Sequence, residues 1–162
     1  MTLVYVALGA NLADPVQQLN QAVVALKKIA ITGEITVSSY YSSTPMGDVV
    51  QPDYVNAVAC FNTQLDPIEL LNSLQEIEQR QGRVRNERWG PRTLDLDLLL
   101  YGLDTIDLPR LRVPHYGMKE RSFVLIPLAE IAEDLILPCH QALKSLLTPE
   151  MRRSLHKIPN RN

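Results

Sequence analysis

Two Asp-Pro dipeptides, Asp14-Pro15 and Asp66-Pro67, each follow a sheet-forming run and open an amphipathic segment; this doubled pattern constrains the fold more than any other feature. An aspartate just before a helix accepts an orphan backbone N–H, and a proline in the first turn has no needed donor to lose. Ahead of the first pair, Leu3 to Leu8 is a continuous apolar run ended by Gly9, too short for a helix and read as a buried strand. After it, Val16, Leu19, Val23, Leu26 and Ala30 recur at steps of three and four. Lys27 and Lys28 complement the negative end of that helix, and Gly33 stops it. Glu34 to Tyr41 reads as the returning strand. The grammar then repeats: Tyr54 to Thr63 alternates as a strand, a helix buries Ile68, Leu71, Leu74 and Ile77 before ending at Gly82, and Leu94 to Tyr101 is the next strand.

Two successive strand–helix–strand halves predict an α+β protein, a ferredoxin-like α/β plait with an antiparallel sheet and helices packed on it. Beyond Gly102, Pro109, Pro114 and Pro127 divide the chain into short strand and turn segments, and a terminal helix is predicted over Ala142 to Leu155. At 162 residues the expectation is a single domain, residues 1–162, acting as a monomer. A formal charge of −2 argues against bulk binding to nucleic acid through phosphate neutralisation. Cys60 and Cys139 are too few for a disulfide framework or a metal quartet. The N-terminus lacks a secretory pattern and no apolar run approaches the ~18 residues of a membrane span, so a cytoplasmic, reducing location is expected.

Chemistry concentrates in two places. Arg80, Arg83, Arg85, Arg88 and Arg92 crowd into RQGRVRNERWGPR with only Glu87 opposing them, so this segment is either an ordinary solvated loop or a seat for a highly charged anion. Trp89, the single tryptophan, stands in the middle of this polar stretch, where stacking on a ligand becomes a use for it. Immediately downstream, strand periodicity sets Asp95 and Asp97 on one face, opposite Leu94, Leu96, Leu98 and Leu100. Two acids within an apolar strand contradict local propensity, as functional residues often do. Paired carboxylates suit Mg²⁺ that keeps its other positions for water and phosphate oxygens, with neighbouring arginines taking the remaining phosphate charge. No P-loop or Rossmann glycine fingerprint occurs, so metal and arginine must hold the phosphates. Arg110, Arg112, His115, Lys119 and Arg121 form a second basic group around Val113 to Tyr116. Gln75 and Glu78 share a helical face that either meets solvent or reads a base or ribose. Tyr54 and Asn56 share a strand face, as a core pair or as a stacking ring and an amide suited to a flat heterocycle.

Taken together, these segments resemble the 6-hydroxymethyl-7,8-dihydropterin pyrophosphokinase family of folate biosynthesis. The most specific stretch runs from Arg88 to Leu99, RWGPRTLDLDLL; Gly9, Asn11 and Leu12, then Gln51 to Ala57, Gly82 to Arg85, and Val113 to Tyr116 through Phe123 and Pro127 extend the likeness. The resemblance implies transfer of the pyrophosphoryl group of ATP to the pterin hydroxymethyl, with release of AMP and with two Mg²⁺ held by Asp95 and Asp97. It implies a pterin between Tyr54 and Phe123, its edge read by Asn56 and by the backbone around Ser43, Thr44 and Met46, with Trp89 and Arg92 closing over it. It implies ATP contacts from Gln75, Glu78, Arg85 and Leu98, and from Arg110, Arg112, His115, Tyr116 and Arg121, with Arg83 assisting transfer or product release. Asp97 is expected to accept the proton of the attacking hydroxyl. Ala10, Asp48-Val49-Val50 and Arg112 depart from the family pattern.

Two rival readings stand beside it. One is a nucleotide-sugar glycosyltransferase, which also uses Asp-x-Asp near a strand end but usually on a longer chain. The other is a small α/β plait that binds nucleotide or RNA without catalysis, since a fold does not fix a function.

Overall fold

The computed structural model describes residues 1–11, 14–43, 54–81, 94–115 and 118–158. Strand β1 (Thr2–Ala10) leads to helix α1 (Pro15–Lys27), and the chain returns through β2 (Thr36–Val37) and β3 (Tyr41–Ser43). The second half repeats this with β4 (Tyr54–Thr63), α2 (Pro67–Arg80) and β5 (Asp95–Tyr101). Both Asp-Pro signals cap as expected, with different quality. Asp66 receives the Glu69 N–H at 2.8 Å while the Glu69 carboxylate receives the Asp66 N–H at 3.0 Å, a reciprocal capping box. Asp14 sits in the left-handed region at φ 59° and receives the Gln17 N–H at 3.4 Å. Asp66→Ala is expected to cost about 1 kcal/mol, read as a lower urea midpoint at unchanged m-value.

The sheet is antiparallel, in the order β5-β1-β4-β3, with β2 also paired to β4. The predicted strand Glu34–Tyr41 is thus two short pieces against one partner. Val37 faces Ala59 and Tyr41 faces Asn56, four steps on one side against three on the other, so one extra residue is accommodated between them. Buried Ser38 accounts for the break: its N–H donates to the Val58 carbonyl at 2.9 Å and its Oγ accepts the Val58 N–H at 3.0 Å.

Each face of the sheet carries its own apolar layer. On one, Leu19, Leu26, Leu70 and Leu74 of α1 and α2 pack on Val4, Val6, Leu8, Val55, Ala57, Leu96 and Leu98. On the other, Val124, Leu125 and Leu128 pack on Tyr5, Val58, Leu99 and Leu100. Leu100 therefore faces the second layer, contrary to strict alternation. Tyr5 pairs with Leu100 but Val6 with Leu98, so the register shifts at Leu99 and the strand changes phase there, beyond the two aspartates.

After β5 a hairpin forms from β6 (Ile106–Leu108) and β7 (Leu111–Val113). Helix α3 (Ser122–Ile131) then replaces the irregular structure expected from Pro127. Proline has no N–H to offer the carbonyl four residues earlier, that of Phe123, yet burial of Val124, Leu125 and Leu128 outweighs the missing bond. The predicted terminal helix is also corrected. Pro149 cannot continue a helix begun at Ala142, so the segment divides into a single tight turn at Leu143–Leu146, a five-residue α4 (Pro149–Arg153) and β8 (Leu155–Lys157), which joins the sheet beside β3. No described helix is long and apolar enough to cross a membrane.

Candidate active site

On the sheet face covered by α3, the candidate residues gather around strand β1, which lies between β5 and β4. Gly9 is the direct neighbour of Asn56 on one side and of Asp95 on the other, and Ala7 is the neighbour of Asp97. Directly paired residues share a face, so the predicted carboxylates and the predicted amide stand on one surface, with only a glycine between Asp95 and Asn56. A Cβ built on Gly9 would lie 2.9 Å from Asn56 Oδ1, a distance real Cβ atoms do not show; glycine is what lets buried Asn56 occupy this rung. Asp95 is half-buried and Asp97 exposed, while Tyr54 is half-buried two residues from Asn56 on the same face. Ser43 pairs with Tyr54 and Tyr41 with Asn56, extending the surface onto β3.

The far wall comes from the segment between β7 and α3. The His115 backbone N–H donates to the Leu99 carbonyl at 3.1 Å, tying this segment to β5 just beyond the aspartates. Burial pushes the His115 imidazole below its ordinary pKa, the charge of Asp97 opposes that shift, and Arg121 adds to it. His115 thus lies within the field of both Asp97 and Arg121. The Arg121 guanidinium lies 5.7 Å from the centre of the Phe123 ring, so charge and aromatic surface adjoin at the start of α3.

On the α2 side, the Arg110 guanidinium donates to Asn72 Oδ1 at 2.6 Å and to Gln75 Oε1 at 3.2 Å, bringing two predicted nucleotide residues together across the β6–β7 turn. Glu78 is buried and receives the Leu96 N–H at 2.8 Å, a bond made between the two aspartates of β5. The Leu98 side chain belongs to the core beneath the helices. Arg112 is exposed and pairs with Asp107 at 3.3 Å across its own hairpin. Thr44, Met46, Arg83, Arg85, Trp89, Arg92 and Tyr116 lie outside the described residues. Sequence reasoning did not place Gly9 or Asn72 in the site. A glycine inside a strand signals close approach of another group, which could have pointed to Gly9; nothing in the sequence marks Asn72.

The donor set suits Mg²⁺. Asp95 and Asp97 offer hard oxygens from one strand face, and among the described residues no third His, Cys, Asp or Glu joins them to close a coordination cage. A pair of carboxylates that leaves most positions to water and phosphate is how this ion is usually held. The described residues also outline a cavity of about 490 Å³, beside Tyr41, Glu130, Lys144 and Arg152, that includes none of the predicted site residues.

The chain is also similar to known proteins. A family model described as 7,8-dihydro-6-hydroxymethylpterin-pyrophosphokinase (HPPK) matches residues 5–133. The 2-amino-4-hydroxy-6-hydroxymethyldihydropteridine pyrophosphokinase of Haemophilus influenzae is 53% identical over 147 residues, covering 91% of this chain and 92% of its own. The Pseudomonas aeruginosa protein of the same name is 51% identical, covering 96% of each. Among solved structures, wild-type Plasmodium falciparum HPPK-DHPS with SDX-DHP matches 98% of this chain with a TM-score of 0.76 at 13% identity, a likeness of fold. The chain spans 47% of that longer one. With its family match extending over most of the chain and its carboxylate pair set beside Asn56, this protein belongs to the 7,8-dihydro-6-hydroxymethylpterin-pyrophosphokinase family.

Proposed function

We infer that this protein transfers the pyrophosphoryl group of ATP to the hydroxymethyl oxygen of 6-hydroxymethyl-7,8-dihydropterin and releases AMP, in folate biosynthesis. The observation that carries the reading is the single rung Asn56–Gly9–Asp95, which sets a heterocycle-reading amide beside a metal-holding carboxylate on one sheet face. The pterin lies between the rings of Tyr54 and Phe123, with Asn56 and the backbone of Ser43, Thr44 and Met46 on its edge. ATP lies along the side that holds Gln75, Arg110, His115 and Arg121; Arg85, Arg112, Tyr116 and the backbone of Leu98, whose side chain is in the core, complete its surroundings, while buried Glu78 acts from beneath by holding the Leu96 N–H.

Two Mg²⁺, held by Asp95 and Asp97, supply neutralisation of triphosphate charge when bound. Attack of the hydroxyl oxygen on the β-phosphorus breaks the bond to the α-phosphate, and AMP leaves. Asp97, the more exposed carboxylate, accepts the hydroxyl proton on a carboxylate oxygen. Arg121 and Arg110 balance phosphate charge, Arg83 assists the transfer, and Arg92 and Trp89 keep out the water that would otherwise hydrolyse ATP.

The framework is a ferredoxin-like plait. The strand order of the two halves, fourth–first–third–second with both helices on one face, supports this. The protein acts as a single-domain monomer in the cytoplasm, where ATP is supplied. Incubation with ATP, Mg²⁺ and the pterin alcohol, with the adenine products resolved by chromatography, tests the reading. AMP formed only when pterin is present is the expected result. ADP would mean an ordinary kinase, and no pterin-dependent product from folded protein would favour the nucleotide-binding plait.

A further inference from the structure

Glu130, in the last turn of α3, holds the strand beneath it by several bonds at once. Its two carboxylate oxygens receive the Ser39 N–H at 3.1 and 2.9 Å, Oε2 also receives the Ser39 hydroxyl at 3.0 Å, and Oε1 receives the Tyr41 hydroxyl at 2.5 Å. Ser39 lies in the interruption between β2 and β3, where the ladder to β4 offers its N–H no partner, and Tyr41 opens β3 opposite Asn56. Burial raises the Glu130 carboxyl pKa, but the Tyr41 and Ser39 hydrogen bonds outweigh it and leave the net shift downward; burial and the same Tyr41 bond raise the Tyr41 phenol. A charge-assisted cluster of this kind is among the stronger polar contacts available.

The other end of the same helix carries Phe123. It lies seven positions before Glu130, about 10 Å along the axis. Between them, Pro127 removes the helix bond that the Phe123 carbonyl would accept, so the first turn is not rigidly coupled through its own ladder. Apolar contacts of Val124, Leu125 and Leu128 press α3 onto the sheet but, being non-directional, leave its tilt and slide to polar contacts. At its start the Ser154 hydroxyl donates to Ser122 Oγ at 2.9 Å, an exposed single bond; at its end the Glu130 clamp makes several bonds and reaches β3, which is in register with Tyr54 and Asn56 of β4.

We propose that Glu130 is a positioning residue for the dihydropterin site: by clamping the C-terminal turn of α3 to Ser39 and Tyr41 it sets the gap between Phe123 and Tyr54. This rests on the pterin reading above. It predicts that the clamp governs the pterin far more than ATP, because Gln75 and Arg110 hang on α2 and the β6–β7 hairpin and His115 is tied to the Leu99 carbonyl of β5, leaving Arg121, at the N-cap of α3, as the one residue in this ATP set that shares the helix.

The test measures KM for the pterin alcohol and for ATP in wild type, Glu130→Ala, Glu130→Gln, Tyr41→Phe and the Glu130→Ala/Tyr41→Phe pair, with thermal unfolding of each. Glu130→Ala should raise the pterin KM fivefold or more while the ATP KM and kcat stay within twofold. Glu130→Gln, which keeps one acceptor oxygen, and Tyr41→Phe, which keeps the Ser39 arm, should fall between. Tyr41→Phe should add nothing once Glu130 is gone. An unchanged pterin KM, or parallel rises for both substrates, overturns the proposal. If Glu130→Ala does not fold, Tyr41→Phe and Glu130→Gln decide by the same split. Failure of the pterin reading itself is separable, since wild type would then form no pterin-dependent AMP, and the proposal would fall with it.

Discussion

Asp97→Ala and Asp95→Ala should each lower kcat/KM by about three orders of magnitude, about 4 kcal/mol of transition-state stabilisation, while leaving the fold as stable as before or more so. The two halves of this expectation have the same cause. The carboxylates stand two residues apart on one face of β5, Asp97 exposed and Asp95 half-buried, so in the free protein they repel one another and sit against strand propensity. Removing either relieves that conflict. With nucleotide bound the same crowding is what holds cations against the phosphates, and one carboxylate does not replace two. Urea unfolding and steady-state AMP formation measured on the same preparations separate the effects. Full turnover in Asp97→Ala would remove this residue from both metal holding and proton transfer; loss of activity in step with loss of stability would make the pair structural. A gain of stability on deleting active-site charge is the general signature of a site kept for function.

Much of the framework was legible because each local signal agreed with its neighbours. Asp66-Pro67 gave a helix start that the structure completes as a capping box, and the leucines at 94, 96 and 98 gave the phase that places Asp95 and Asp97 together. Where the reading failed, tertiary packing or a single residue overrode the local rule. Leu100 left its expected face because one residue at position 99 shifts the register against β1, which no window of β5 alone can reveal. Helix α3 is hidden in the sequence because Pro127 reads as a breaker, whereas burial of three apolar side chains against β4 and β5 holds the helix through it. Conversely Pro149 does break the terminal helix, since α4 has no buried residue of its own and the chain beyond it is drawn into pairing with Tyr41–Ser43.

The candidate site was legible in part for the same reason. Tyr54, Asn56, Asp95 and Asp97 follow from strand periodicity, and pairing then adds what periodicity cannot, the identity of the residue between them. The meeting of Arg110 with Asn72 and Gln75 depends on how the hairpin folds back onto α2, and the Glu130 clamp joins residues about ninety positions apart. Neither leaves a mark in any short stretch of sequence. Glu78 shows how a correct choice of residue can acquire a different physical content. It was singled out by sharing a helical face with Gln75, and in the fold its carboxylate supports the Leu96 backbone from inside the protein.

Gly9→Ala is the second substitution with a large expected effect, and it tests the geometry on which the whole site depends. Alanine ordinarily improves a strand interior over glycine by about 0.5–1 kcal/mol. Here its Cβ would arrive 2.9 Å from Asn56 Oδ1, and Asn56 is too buried to swing away freely, so overpacking of about 1–3 kcal/mol should exceed the gain and leave a net loss. Displacing the Asn56 amide should also weaken pterin binding more than tenfold, measured by titration calorimetry, with ATP affinity within twofold. The decisive comparison is with Asn56→Ala. If the clash is the cause, the Gly9→Ala/Asn56→Ala pair should be less destabilised than the sum of the single variants, because the atom that Cβ meets is gone, and yet it should bind pterin no better than Asn56→Ala alone. Strict additivity in stability would show that Gly9 serves the backbone rather than the space beside Asn56. Recovery of pterin binding in the pair would show that the amide does not read the substrate.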